Sequence, residues 1–353
     1  MSATLRHEMA VTLKDVAKLA GTSASAASAV LNQGGGKNTR VGPQTRERII
    51  SAAAELGYVP NPIAQSLATG RTGALGLMLP YESSFLYPDP WSTSVINGIV
   101  SEAVRSKFNL TLYTAIQGHY KDDVSRVVDH RVDGVIVVLP IDNPGVYEIC
   151  AKIQLPLVSI LREPTSPDEL VVNSNDAEGA RLATQHLIDL GHRKIGMITG
   201  WELVPTMEGR ARGFYDCLRE NGLQADPRHV IRGDFNRLDG RFAVEELIKL
   251  GEDMPTAIFC CNDMCAHGVI DALRESGYSV PRDISVVGYD DTPYAALINP
   301  PLTTVNMAAD QLGSTAVNLL VADIQGQEIA DRQPVLSVSL TVRESTAKVR
   351  RPD

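Results

Sequence analysis

No apolar run in this sequence approaches the ~18 residues that a membrane-spanning helix needs, so a soluble protein with no membrane partner is expected. The opening residues, MSATLRHEMAVTLKDV, hold no continuous apolar stretch of the kind a secretory signal carries. Cysteine is scarce. There are five, at positions 150, 217, 260, 261 and 265, an odd count scattered through apolar segments without a paired C-x-x-C spacing. That pattern speaks against a disulfide framework and for reduced thiols in a cytoplasmic protein. The stretch CCNDMCAH reads as a buried strand end entering a helix rather than a metal cluster, so no metal and no cofactor are expected. Catalytic signatures are missing too: no G-x-S-x-G, no H-E-x-x-H and no G-x-G-x-x-G after a strand. GGGKN imitates the end of a phosphate-binding loop, but Leu31 stands where its first glycine belongs, Asn38 replaces Ser/Thr, and a helix precedes it. No catalytic residue is assigned, and an enzyme is not the expected reading.

What is present is an uneven charge. The chain has 353 residues, room for two or three domains. Residues 1–71 carry eight Lys and Arg against four Asp and Glu, while the remainder carries 25 against 38, giving −9 in all. A small basic head on a large acidic body implies that only the head meets a polyanion.

Within the head, Leu13, Val16, Ala17 and Ala20 recur at helical spacing and Gly21 stops them. Thr22 or Ser23 can cap a second helix by accepting a backbone N–H bond. That helix has an inner face of Ala27, Val30 and Leu31 and an outer face of Ala24, Ser25, Ser28 and Ala29. A third helix starts at Pro43 behind Gly42, carries Ile49, Ala53 and Leu56 on one stripe, and ends at Gly57. Helix, tight turn, helix and a supporting third helix make the layout of a helix-turn-helix DNA reader. Asn61-Pro62 then opens a helix of about eight residues, PIAQSLAT, stopped by Gly70 and too short to be stable alone in water.

The run VTLKDVAKLAGTSASAASAVLN, followed by RVGPQTRERIISAAAELGYVPNPIAQSLATGRTGALGLMLP, resembles the DNA-binding head of the lactose-repressor (LacI/GalR) family from Val11 to Pro80. Extra loop residues around GGGKN interrupt the likeness. The resemblance implies that the second helix lies in the major groove, where relatives place an arginine and other long polar side chains. Here Ala24, Ser25 and Ala29 occupy those positions, offering only methyls and a permissive hydroxyl. Reading of sequence is then expected to shift to Lys37, Asn38 and Arg40 in the lengthened loop and to DNA deformability. The alternative, that Lys37 and Arg40 only grip phosphate, stays open. Thr12, Ser23, Ser28, Asn32, Thr45 and Arg46 match phosphate-gripping positions. The segment from Asn61 matches a hinge helix that orders on operator DNA, with Leu67 as a minor-groove wedge.

From Gly73 onward short apolar runs alternate with helical stretches: ALGLML, NLTLYTA, GVIVVLP, LPLVSI, KIGMITG, HVIRG, TAIFCC and SVVGYDD. They read as buried parallel strands in two doubly wound α/β lobes. The fold class is thus a small all-α helix-turn-helix head plus a two-lobed α/β domain, and the resemblance makes the latter a periplasmic-binding-protein-like clamshell. The expected divisions are a head at 1–60, a hinge at 61–71 and an effector domain at 72–345, followed by a tail at 346–353. One lobe is assigned about 72–162 and 290–324, and the other about 163–289 and 325–345, with crossings near Leu161–Pro164, Tyr289–Pro293 and Asp323–Glu328.

Ligands of open α/β sheets bind beyond the carboxyl ends of the strands. Tyr81 and Glu82, Trp91, Arg210, Phe235, Asn262 and Asp290 hold such places and suit a polyhydroxylated effector, a sugar or sugar derivative. Trp91 and Phe235 read equally as core, and Arg210 with Asp290 as a structural ion pair. Asp263 reads as a helix cap or a contact and is left out of the set. Where relatives carry an aspartate after the fourth strand, this chain has Leu161 and Arg162, and Arg162 beside Arg210 would suit an anionic ligand. The function expected is a transcriptional regulator, a repressor by preference, acting as a homodimer on a pseudo-palindromic operator. The competing readings are a sugar-binding module and a sugar-modifying enzyme.

Overall fold

The computed structural model describes residues 11–31, 41–61, 65–66, 69–79, 90–113, 130–139, 144–201 and 205–350. Contacts divide the chain into two compact units, residues 1–73 and residues 74–353.

In the first unit, α1 (Leu13–Leu19), α2 (Ala24–Leu31) and α3 (Pro43–Leu56) enclose a core of Val16, Ala17, Ala20, Ala27, Ile49, Ala52 and Ala53. Five of those seven are alanines, so the three helices pack closely around two larger side chains. Gly21 takes the left-handed conformation (φ +62°) that ends α1, and Thr22 N–H closes the turn on the Ala17 carbonyl at 2.9 Å. Gly57 ends α3 in the same way, at φ +62°.

The second unit holds two six-stranded sheets. The first runs β11-β5-β4-β3-β1-β2 and is parallel throughout: β1 (Ala74–Met78), β2 (Asn109–Tyr113), β3 (Gly134–Val138), β4 (Leu157–Ile160), β5 (Leu170–Ser174) and β11 (Val335–Leu336). The second runs β12-β10-β9-β8-β6-β7: β6 (Ile195–Thr199), β7 (Val230–Arg232), β8 (Ala257–Cys260), β9 (Ser285–Asp290), β10 (Thr303–Asn306) and an antiparallel edge, β12 (Ser339–Thr341). β1 and β3 are buried along their whole length, which is why they read as unbroken apolar runs. On the first sheet α4 (Pro90–Arg105) packs against α10 (Ala309–Ile324), and α5 (Pro144–Ile153) links β3 to β4. On the second sheet α6 (Asp176–Asp189) packs on α7 (Pro205–Glu220), and α8 (Arg237–Ile248) on α9 (Asp263–Glu275).

Sheet membership corrects the expected lobe boundaries. β5 pairs with β4 in the first sheet, so the chain crosses between Ser174 and Asp176 rather than near Leu161–Pro164. β10 pairs with β9 in the second sheet, which moves the second crossing from Tyr289–Pro293 to beyond Asn306. The third falls between β11 and β12 rather than at Asp323–Glu328. Both β5 (LVVNS) and β10 (TTVN) are short, end in polar residues and have no α-helix between them and the preceding strand, so the alternation of strand and helix breaks there. The expected tail at 346–353 is also revised. Ala347 N–H donates to Ser285 Oγ at 3.0 Å, Val349 N–H donates to the Leu190 carbonyl at 3.0 Å, and the buried His192 ring bonds Ala347 O at 3.0 Å. Residues 346–349 are thus stitched to the second lobe.

Candidate functional site

On the head, Ser23 rather than Thr22 caps α2: its hydroxyl accepts from Ala26 N–H at 3.1 Å. Ser23 and Ser25 are exposed, while Ser28 and Ala29 are half-buried. Ala24, expected on the outer face, is half-buried against the three-helix core because it opens the helix beside α1. The described part of the α2 outer face thus presents one protruding polar group, Ser25. Thr12 is tied to its own helix, its N–H and hydroxyl both donating to Asp15 Oδ2, at 2.9 and 2.6 Å. Thr45 is half-buried and accepts from Arg48 at 3.4 Å, and Arg46 is exposed. Asn61 opens a helical turn: its carbonyl accepts from Gln65 N–H at 3.0 Å, and Gly70 N–H reaches Ser66 O at 2.8 Å. Asn32, Lys37, Arg40 and Leu67 lie outside the described residues.

In the second unit the chemistry gathers at the carboxyl edge of the second sheet, around Arg210. Its guanidinium is almost wholly buried, at 4% exposure. Nε donates to Asp176 Oδ1 at 2.8 Å, Nη1 donates to the Cys261 carbonyl at 2.5 Å, and Nη2 lies 3.8 Å from Asp290 Oδ1. The plane stacks on the Tyr289 ring at 3.7 Å. Burial alone would disfavour the cation, yet Asp176, Tyr289 and Asp290 hold its pKa above the ordinary arginine value. Burial raises the Tyr289 hydroxyl well above the usual tyrosine range, and a Cβ at Gly179 would collide with that hydroxyl. Asp290 is itself buried, on a left-handed backbone (φ +108°) followed by a second left-handed residue, Asp291 (φ +52°). Such conformations are costly outside glycine and cluster at functional sites.

Phe235 and Asn262 form a second piece of this edge. Phe235 has φ +64° and is half-buried, its ring pressed where a Gly200 Cβ would stand. Asn262 caps α9 by accepting from Cys265 N–H at 2.8 Å, while its amide donates to the Phe235 carbonyl at 2.8 Å. The cap expected of Asp263 therefore belongs to its neighbour. Trp201, half-buried just after β6 and packed on the core, stands at the same edge; its strand-end place after KIGMITG is the signal for it in the sequence.

The other expected contacts divide. Trp91 is buried in the main apolar core. Arg162 turns to Glu169, with Nη1 to Oε2 at 2.5 Å, and stacks 3.9 Å over Tyr147. Tyr147, raised to about 12 by burial, lines a cavity of about 470 Å³ with Ser159 and Glu169, so Arg162 and Arg210 serve different neighbourhoods. That removes the paired-cation argument for an anionic ligand: both guanidinium groups are already matched by carboxylates. Tyr81 and Glu82 lie outside the described residues.

Two family profiles match the chain. Bacterial regulatory proteins of the lacI family match residues 12–61, and the periplasmic binding protein-like domain matches residues 184–346. The HTH-type transcriptional repressor PurR of Mannheimia succiniciproducens is 31% identical over 341 residues, 96% of this chain and 99% of the relative. PurR of Aliivibrio salmonicida is 32% identical over 344 residues, covering 96% and 99%. Among solved structures, the lac repressor dimer bound to operator and the anti-inducer ONPF superimposes with a TM-score of 0.82 at 31% identity, covering 96% and 99%. The transcriptional regulator CelR–cellobiose complex gives 0.71 at 30% identity, covering 95% and 99%.

Proposed function

The chain belongs to the lacI family of bacterial regulatory proteins, and from that membership we infer how it works: as a DNA-binding transcriptional repressor, not an enzyme, whose grip on its operator is set by a small effector. Two copies place their α2 helices in successive major grooves of a pseudo-palindromic site in cytoplasmic DNA. With Ser25 as the protruding group of α2, direct base reading is sparse, and the loop holding Lys37 and Arg40 together with DNA deformability supplies the rest. Thr12, Ser23, Ser28, Asn32, Thr45 and Arg46 orient the head on phosphates. The turn begun at Asn61 is the bistable element: too short to stand alone, it orders on bent DNA with Leu67 wedged in the minor groove. Effector and operator then alter each other's affinity by the same factor.

The effector we assign is a neutral, polyhydroxylated molecule seated against Phe235, Asn262, Asp290 and Trp201, with Tyr81 as a further candidate contact. One observation carries this: among the described residues, the cations considered for an anionic ligand are both already paired with carboxylates, Arg210 with the buried Asp176 and Asp290 and Arg162 with the half-buried Glu169. Similar proteins are described with cellobiose and with ribose. Thermal melting of the full chain against neutral saccharides and their phosphates tests the assignment. A rise with a neutral member is expected, and a rise confined to phosphates would reject it. Operator binding is checked by gel shift, where affinity should fall steeply with salt while one preferred site persists.

A further inference from the structure

Asp263 has no place in the contacts just described, yet its carboxylate accepts three hydrogen bonds behind them. It is the first residue of α9 and is 4% exposed. Thr304 Oγ1 donates to its Oδ1 at 2.5 Å, and Thr292 N–H and Oγ1 both donate to its Oδ2, at 2.7 and 2.9 Å. All three donors are neutral. Strand β9 runs so close that a Cβ at Gly288 would lie 2.5 Å from Oδ1 and 2.6 Å from Leu302 Cδ2, so this carboxylate and Leu302 together leave room for glycine alone.

The three donors bracket the strained turn. Thr292 immediately follows the left-handed pair Asp290–Asp291. Thr304 lies on β10 and its hydroxyl also faces Asp291 N–H at 3.4 Å. Asp291 is separately tied to Asn306 at 3.0 Å, to Thr341 at 2.9 Å and to Arg343 at 2.7 Å. The backbone of Asp290 is thus over-determined from its carboxyl side, as a residue of unfavourable φ must be.

We propose that Asp263 is the positioning residue of the effector site: its carboxylate clamps Thr292 and Thr304, and so fixes the left-handed turn that aims Asp290 at Arg210 and the ligand. The proposal rests on the effector reading above. A pH dependence follows. Burial raises the Asp263 carboxyl to about 7, against the hydrogen bonds from Thr304 and Thr292, with Asp291 adding to the rise. The ionised carboxylate accepts from all three donors. Once protonated, one oxygen donates and a threonine hydroxyl reverses to acceptor, and because opening to water returns the carboxyl toward the ordinary aspartate value, the closed turn is favoured below neutrality and loses stability as pH rises through about 7. The charged groups facing it are Asp291 with Arg343 from the carboxy-terminal segment and, behind the turn, Arg210 with Asp290 and Asp176. His267, one turn along α9, pairs with Asp271 at 3.4 Å, and Asp239 of α8 caps its own helix.

Hydrogen exchange on the full-length protein without ligand decides the matter, read on a peptide spanning 286–298 with 257–260 as the fold control. In the natural protein, protection of the Asp291–Thr292 amides, corrected for intrinsic rates, should be greater at pH 6 than at pH 8. D263N should lower that protection by roughly tenfold at pH 8, the scale of a lost bond to a charged acceptor, and flatten its pH profile. T304V should weaken it less, and it carries the test should D263N perturb 257–260. Natural exchange rates in both variants, or a flat profile in the natural protein, would overturn the clamp. The failure of every saccharide to shift melting sinks the effector reading alone, because exchange is read without ligand. If cellobiose binds, D263N must weaken it in parallel with the lost protection, and unchanged cellobiose affinity would overturn the link to Asp290.

Discussion

The head and the carboxyl edge of the second sheet solve opposite problems. The head encloses seven small or medium apolar side chains and leaves hydroxyls and Arg46 in water, ready for a partner that brings the charge. The strand edge buries its charges and matches them internally before any partner arrives: Arg210 with Asp176 and Asp290, Asp263 with Thr292 and Thr304. A surface that binds a polyanion gains from counterion release and can stay solvated until contact. A site for a neutral ligand has no such source of attraction, and its polar groups must be pre-arranged in a dry setting.

The largest effect that separates the two regions is expected from Arg210→Ala. Removing the guanidinium leaves Asp176 and Asp290 buried without their cation, and breaking such a pair costs about 3–5 kcal/mol. Urea denaturation should show the second unit losing that much, while the three-helix head, isolated by its own core, keeps its transition. Arg210→Lys restores the charge but not the fork that reaches Asp176, the Cys261 carbonyl and Asp290 at once, so it should recover only part of the loss. A wild-type midpoint for Arg210→Ala would show that the cluster is not a matched set.

The same contrast explains what the sequence disclosed. The head's determinants lie within a few residues of one another: Gly21 ends a helix, Ser23 caps the next, and Val16 and Ala20 share a stripe. Periodicity and capping read such a segment directly. The strand edge joins residues 27 to 97 positions apart, from Asn262–Phe235 to Arg210–Met307. Its members were legible as strand ends, but not what each would touch. Asn262 looked like a ligand contact and caps a helix; Asp263 looked like a cap or a contact and accepts from Thr292 and Thr304; Arg162 looked like a cleft cation and stacks on Tyr147. Strands β5 and β10 are hard to read for a related reason, since a four- or five-residue strand with polar ends and no α-helix separating it from the strand before has little period to detect.

Two substitutions sharpen the comparison from the head's side. Among the described residues of the head, Ile49 and Val16 are the only buried ones larger than alanine, so Ile49→Ala should leave a cavity the alanines cannot fill, at a cost of about 3 kcal/mol. Operator binding should vanish while the melting of the second unit and its response to saccharides stay unchanged. Ser23→Ala is the gentlest change. It removes the acceptor for Ala26 N–H and costs about 1 kcal/mol of helix stability. If Ser23 also grips phosphate, affinity should fall on all sequences alike and the slope of log affinity against log salt should barely move, because a neutral hydroxyl displaces no counterion. A loss restricted to the preferred operator would instead make Ser23 a base reader, and would place more of the recognition on α2 than its small side chains suggest.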